Sequence, residues 1–79
     1  MINIEITDTF GGESNYSWVK RYELDPIEGQ SDLALIRRIK KVIGWTGAKC
    51  KKNVFGDMIE LRPVGICIVC FITFSEKVG

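Results

Sequence analysis

The feature of this sequence that most constrains the fold is the uncharged segment at residues 65–74, GICIVCFITF. If residues 66–74 form a strand, successive side chains point to opposite faces of the sheet. One face would carry Ile66, Ile68, Cys70, Ile72 and Phe74, and the other Cys67, Val69, Phe71 and Thr73. Both faces are apolar, which is typical of a strand at the centre of a sheet covered on both sides. The segment therefore predicts a central strand that needs two covering layers.

Two strands precede this segment at the start of the chain. Ile2, Ile4 and Ile6 alternate with polar residues, which is the two-residue period of a half-buried strand. Residues 10–15 contain two glycines and a Ser-Asn pair, and they predict a hairpin loop. Residues 16–24 are rich in aromatic and branched side chains and predict the second strand. Regular alternation places four of its side chains on one face: Tyr16, Trp18, Tyr22 and Leu24.

A single helix is predicted over residues 32–43. Ser31 is a favourable N-cap, and Gly44 suits a left-handed C-cap. The apolar residues between them recur at the spacing of one helical face. These residues are Leu35, Ile36, Ile39, Val42 and Ile43.

Residues 48–55 and 58–62 predict two more strands around the turn Gly56-Asp57. The element order is then β-β-α-β-β-β. It predicts an α+β fold, with an antiparallel-rich sheet of about five strands and one helix packed on one face. We expect the 79 residues to form a single domain, 1–79.

One helix can cover only one face of such a sheet. Three sources could cover the other: sheet curvature that wraps residues 10–15 or the C-terminal tail beneath it, a second copy of the chain, or a different protein. Coverage by the chain itself is the first interpretation. A homodimer is the second, because association stabilises a domain as small as this one.

The C-x-x-C pair formed by Cys67 and Cys70 invites a metal or redox interpretation. In a strand their Cα atoms would lie about 10 Å apart, beyond disulfide reach, with side chains on opposite faces. The chain has no histidine, and its third cysteine, Cys50, cannot complete a closed disulfide set. We therefore expect buried structural thiols in a reduced compartment and no metal or other cofactor.

No catalytic motif is present in the sequence. Gly11-Gly12 is not followed by the Lys-Ser/Thr of a phosphate-binding loop, and Asp8, Glu13 and Asp57 are expected to lie in water. We therefore expect a protein without enzymatic activity. Because the N-terminal residues do not resemble a signal peptide and residues 66–74 span about half the length of a membrane helix, we expect a cytoplasmic location.

Charge is distributed unevenly along the chain. Residues 1–32 carry seven acids and two bases, whereas residues 33–62 carry eight bases and two acids. Halves of opposite sign favour either mutual neutralisation or a surface that attracts a partner. One hypothesis is a nucleic-acid-binding surface near Trp45; the alternative is a solvated helix face and a lysine-protected edge strand. The basic residues concerned are Arg37, Arg38, Lys40, Lys41, Lys49, Lys51 and Lys52.

A second candidate surface lies on the first hairpin. Exposed aromatic and basic residues are the types that anchor protein interfaces, although core packing is the alternative for Trp18. The predicted partner-binding residues are Glu13, Asn15, Tyr16, Trp18, Lys20 and Tyr22.

Residues 8–19 (DTFGGESNYSWV) and 56–63 (GDMIELRP) resemble segments of small uncharacterised proteins carried by bacteriophages and mobile elements. Some of the proteins found alongside these are anti-CRISPR proteins. The resemblance spans most of the chain but carries over no individual functional residue. It implies a compact, cofactor-free protein that binds and blocks a CRISPR-Cas effector complex in the cytoplasm of a bacterial host. Many such inhibitors are strongly acidic DNA mimics, whereas this chain has a net charge of +1. Steric blocking of an interface therefore suits it better.

Overall fold

A computed structural model describes residues 1–75 of the chain. Its elements are β1 (Ile2–Phe10), β2 (Glu13–Leu24), α1 (Asp32–Ile43), β3 (Cys50–Phe55), β4 (Met58–Pro63) and β5 (Ile68–Phe74). The strands form one antiparallel sheet in the order β2-β1-β5-β4-β3. The predicted α+β class and element order are confirmed, and β5 is the central strand.

The bounds of α1 agree with the sequence prediction. The Ser31 hydroxyl accepts a hydrogen bond from the Ala34 N–H, which caps the first turn. Gly44 ends the helix at a φ of 81°, a left-handed conformation that glycine adopts without strain. The Trp45 N–H donates to the Lys40 carbonyl at 2.7 Å, so the chain folds back on the last turn.

The helix packs on one face of the sheet, which we call the helix face. Residues directly opposite each other across a ladder share a face, and the apolar residues of β1 align there with those of β5 and β4. Ile4, for example, lies opposite Ile72, which in turn lies opposite Ile59. The buried cluster on this face comprises Ile2, Ile4, Ile6, Leu35, Ile36, Ile39, Ile59, Leu61, Cys70 and Ile72.

The central strand is two residues shorter than predicted, which changes the environment of one cysteine. Pairing with β1 begins at Ile68, and the preceding Gly65 has a φ of 81° in the turn after β4. Cys67 therefore lies in the connection and is exposed, so the prediction that it is buried is wrong. Cys70 is buried as expected, and burial raises the pKa of its thiol to about 12.

Two other strand boundaries also differ from the predictions. β3 begins at Cys50, so Lys49 precedes the strand and does not share a strand face with Lys51; its carbonyl instead accepts from the Val64 N–H. β2 begins at Glu13, and the predicted loop at residues 10–15 shortens to a turn at Gly11-Gly12. Both of these glycines have positive φ, as a type I′ hairpin turn requires.

Candidate functional site

The hairpin of β1 and β2 contains a large irregularity near its turn. Thr7 pairs with Val19, but the next aligned pair is Thr9 with Ser14. Asp8 therefore faces four residues of β2, 15–18, and the regular ladder is interrupted there. Bulges of this kind bend a strand and redirect side chains.

The carboxylate of Asp8 holds the bulged segment in place. It accepts hydrogen bonds from the Ser17 N–H at 2.9 Å, the Ser17 hydroxyl at 2.6 Å and the Asn15 amide at 2.9 Å. The bonds from the Ser17 hydroxyl and the Asn15 side chain stabilise the charged form and hold the pKa of Asp8 well below its ordinary 3.8. The side chain of Asp8 thus replaces part of the missing backbone ladder.

Thr7 supports the same segment from beneath. Its buried hydroxyl accepts from the Tyr16 N–H and donates to the Trp18 carbonyl, both at 3.0 Å. Between these two contacts Tyr16 adopts a φ of 56°, which is uncommon for a bulky residue and stores strain. The strained conformation is held in place by the hydrogen bonds of Thr7 and Asp8.

The bent hairpin lies over the sheet face opposite α1, which we call the hairpin face. Although Gly12 belongs to the β1–β2 turn, its carbonyl accepts a 2.7 Å hydrogen bond from Arg62 on β4, which lies beyond β5 in the sheet. Val69 on β5 is fully buried. The second cover over this part of the central strand is thus the chain's own hairpin, as the first interpretation held; the C-terminal tail after residue 75 lies outside the described residues.

Arg62 is itself fixed by an ion pair. Its Nε donates to Glu60 Oε1 at 2.8 Å, and Glu60 also accepts from the Asn53 amide at 3.3 Å. Glu60 is only 8% exposed, and its bonds with Arg62 lower the pKa of the carboxyl. Arg62 therefore connects a buried carboxylate on β4 to the end of the hairpin. We call the contacts of Arg62 with Glu60 and Gly12 the clamp.

Beside this clamp a cavity of about 290 Å³ opens between the hairpin and the sheet; we call it the hairpin groove. Strand register places Glu5 opposite Phe71, and Met58 opposite Thr73, on the hairpin face. Tyr16 forms the wall on the hairpin side and is 53% exposed. The lining residues are Glu5, Tyr16, Met58, Phe71 and Thr73.

The structure divides the predicted partner-binding residues between the two faces. Tyr16 lines the groove, and Asn15 supports it through Asp8. Tyr22 lies opposite Ile4 and packs against the core on the helix face. Regular alternation from Tyr16 to Tyr22 was therefore a wrong expectation, because the bulge with its positive φ falls between them.

The remaining predicted residues of the hairpin lie outside the groove. Glu13 pairs with Phe10 beside the turn, and Lys20 lies opposite Ile6. Trp18 is 41% exposed, so it is not a core residue. Sequence reasoning missed every groove residue except Tyr16. The available signal was a set of short polar residues whose side chains can replace backbone hydrogen-bond partners: Thr7, Asp8, Ser14, Asn15 and Ser17.

The seven basic residues do not form one surface. Arg37, Lys40 and Lys41 line a common cavity near the end of α1. Arg38 donates instead to the Asp25 carbonyl at 2.7 Å, at the entry to the loop before the helix. Lys51 and Lys52 lie on opposite faces of the edge strand β3, aligned with Arg62 and Leu61.

The part of the chain described, residues 1–75, contains no group of three His, Cys, Asp or Glu side chains placed to hold a metal ion. Its one helix is too short and too polar to cross a membrane. Comparison with protein-family models, curated proteins and solved structures finds no match to this chain.

Proposed function

We propose that this protein acts without catalysis, by binding a protein partner whose lysine or arginine side chain enters the hairpin groove. The observation that carries this proposal is the presence of two aromatic rings, Tyr16 and Phe71, in one cavity with the Glu5 carboxylate. Aromatic faces and a carboxylate together attract a cation, while Met58 accommodates the aliphatic part of the same side chain.

The groove is held open before a partner arrives. The hydrogen bonds of Thr7 and Asp8 fix the backbone around Tyr16, and Arg62 holds the hairpin turn. A binding surface that is already ordered loses less conformational entropy on association. This supports a role for the strained tyrosine in recognition.

Glu5 is available to a second cation. Its present partner, Arg21, lies at 3.3 Å, but the Arg21 side chain is 74% exposed. Exposed ion pairs contribute little free energy. An incoming basic side chain can therefore share the Glu5 carboxylate or replace Arg21.

For the identity of the partner we propose a subunit of a CRISPR-Cas effector complex, which the protein blocks sterically. The support is the resemblance of residues 8–19 and 56–63, and the first of these segments contains the bulge that forms the groove wall. A net charge of +1 suits occlusion of an interface better than mimicry of DNA.

The target class is tested with purified effector complexes of several types, immobilised for binding measurements and assayed for target-DNA cleavage. The expected result is that one type binds the protein and loses cleavage activity. If no type binds the protein or is inhibited by it, the anti-CRISPR assignment is wrong. That result does not contradict cation binding in the groove, which has its own test.

The groove is tested with a short blocked peptide containing one arginine, compared with the same peptide containing neutral citrulline. NMR titration should show weak binding of the arginine peptide, with shifts at Tyr16 and Phe71. The Glu5→Gln variant should weaken it about tenfold, since hydrogen bonds to charged groups contribute about 1.5–3 kcal/mol. The matched control is Glu28→Gln, an exposed loop residue with the same change in charge. Equal affinities for both peptides, or equal effects of both variants, would contradict the proposal.

A further inference from the structure

A second site lies on the other side of the molecule, where α1 ends and residues 44–48 lead into β3. We propose that this cleft binds single-stranded nucleic acid, with a phosphodiester group at Arg37 and Lys41 and one base against Trp45. The inference does not depend on the hairpin groove, which opens on the opposite face of the sheet. It rests on two adjoining cavities of different chemistry.

The first cavity has a volume of about 440 Å³, and no acidic residue among residues 1–75 lines it. Its lining is Arg37, Lys40, Lys41, Thr46, Gly47 and Ala48. Lys40 is already engaged, because its ammonium group donates to the Ala48 carbonyl at 2.9 Å. That contact ties the loop to the helix and leaves the other two cations to face the cavity.

Arg37 and Lys41 are exposed and lie one helical turn apart. Within residues 1–75 neither side chain is within ion-pair distance of a carboxylate. Like charges at positions i and i+4 of a helix repel each other. A bound anion relieves this repulsion, and the hydroxyl of Thr46 supplies a neutral donor beside it.

The helix dipole places partial negative charge at this end of α1, which opposes an anion. In the last turn the Lys40 carbonyl already accepts from the N–H groups of Gly44 and Trp45. The full charges of Arg37 and Lys41 together exceed the partial charge of a helix end, about half an elementary charge, so the side-chain cations determine the sign of the local field.

The second cavity, of about 150 Å³, shares Thr46 and Ala48 with the first. Its other lining residues are Gly44, Trp45, Pro63, Ile66 and Ile68, and none of them is charged. Trp45 is partly buried and packs against the core, so its ring is held in position.

A cationic cavity beside an aromatic, apolar cavity matches the two parts of a nucleotide unit. The phosphodiester group binds in the cationic cavity, and the base stacks on or beside Trp45 in the apolar one. Duplex DNA would satisfy only the cationic cavity, since its bases are stacked inside the helix and are not free to reach Trp45. Single-stranded nucleic acid is therefore the ligand class that uses both cavities.

The test is fluorescence anisotropy with a labelled short oligothymidylate. Each phosphate contact to a single strand contributes about 0.7 to the slope of log affinity against log salt concentration. In about 0.1 M salt the double variant Arg37→Ser with Lys41→Ser, which loses two such contacts, should bind about 25-fold more weakly, and its slope should be lower by about 1.4. Lys41→Ser alone should weaken binding about fivefold. Lys20→Ser is the control with a matched charge change, because Lys20 lies on β2 and lines neither cavity.

Base contact is measured separately through tryptophan fluorescence. The chain has two tryptophans, so Trp18→Phe leaves Trp45 as the only one. Saturating oligothymidylate should quench its emission. Three results would overturn the proposal: no quenching, equal weakening by Lys20→Ser and Lys41→Ser, or binding of inorganic phosphate or a mononucleotide as tightly as the oligonucleotide. The last result would assign the cleft to a small phosphorylated ligand.

Discussion

The two faces of the sheet are covered by different physical means. On the helix face, aliphatic side chains of β1, β4 and β5 bury against Leu35, Ile36 and Ile39, and the cover is apolar. On the hairpin face the cover is a bent hairpin held by polar contacts to Asp8 and Arg62. Apolar burial is non-directional, whereas hydrogen bonds fix positions.

This difference separates stability from recognition. Burial of the aliphatic cluster stabilises the fold, because apolar area removed from water is the main favourable contribution in folding. The polar contacts of the hairpin contribute less free energy each, about 0.5–1.5 kcal/mol for a neutral hydrogen bond. They hold Tyr16 at a strained φ beside an open groove. On the hairpin face, therefore, directional hydrogen bonds fix the position of a side chain that lines a binding groove.

The largest effect is expected on the helix face. Ile39 is fully buried in the apolar cluster. Ile39→Ala should lower the free energy of unfolding by about 3 kcal/mol through lost burial and the cavity left behind. Urea denaturation followed by circular dichroism measures this change. The control is Val42→Ala on the exposed side of the same helix, for which we expect a loss below about 1 kcal/mol. Similar losses for the two variants would contradict the assignment of stability to the helix face.

The helix face could be predicted from the sequence because a simple period describes it. The two-residue alternation of Ile2, Ile4 and Ile6 and the helical spacing of Leu35, Ile36 and Ile39 both reappear in the buried cluster. The caps Ser31 and Gly44 were predictable for the same reason, since each acts on its own helix end.

The groove could not be predicted in this way. Tyr16 and Tyr22 occupy opposite faces because four residues of β2 oppose Asp8, and such a bulge breaks the period from which faces are inferred. The contact of Arg62 with Gly12 joins residues 50 positions apart. Neither a local propensity nor a hydrophobic pattern encodes a contact between one side chain and a distant carbonyl group.

A smaller effect is expected from the clamp on the hairpin face. Arg62→Met leaves the Glu60 carboxylate buried without its ion-pair partner and releases the Gly12 carbonyl. Because Arg62 is itself partly exposed, we expect a loss of about 2 kcal/mol, below the range for fully buried pairs. Chemical denaturation gives the loss, and amide hydrogen exchange should show faster exchange in residues 14–17.

The comparison variant is Arg21→Met, which breaks the exposed pair with Glu5. It should change stability by less than about 1 kcal/mol. A double variant, Glu60→Gln with Arg62→Met, should regain part of the loss because no buried charge is left unpaired. If the double variant is no more stable than Arg62→Met, the buried carboxylate is not the cause.

The smallest effect concerns the pH dependence of the hairpin. The pKa of Asp8 in the folded protein lies below its ordinary value of 3.8, so the unfolded chain binds a proton more readily than the folded one. The stabilisation by Asp8 is therefore fully present well above pH 3.8 and is lost as the pH falls through the lower folded value. At pH 3.8 the Asp8 carboxyl should still be ionised, which the ¹³C chemical shift of its side chain reports.

Removal of the Ser17 hydroxyl identifies the cause of this shift. The hydroxyl provides the largest contribution that favours the charged carboxylate, ahead of the Asn15 amide. Ser17→Ala should therefore move the midpoint of the Asp8 titration upward toward 3.8, while the backbone N–H of residue 17 can still donate. A wild-type midpoint already at 3.8 would mean that these hydrogen bonds do not persist in solution. The bulge, and with it the position of Tyr16 over the groove, would then lack the support that distinguishes the hairpin face from an ordinary exposed hairpin.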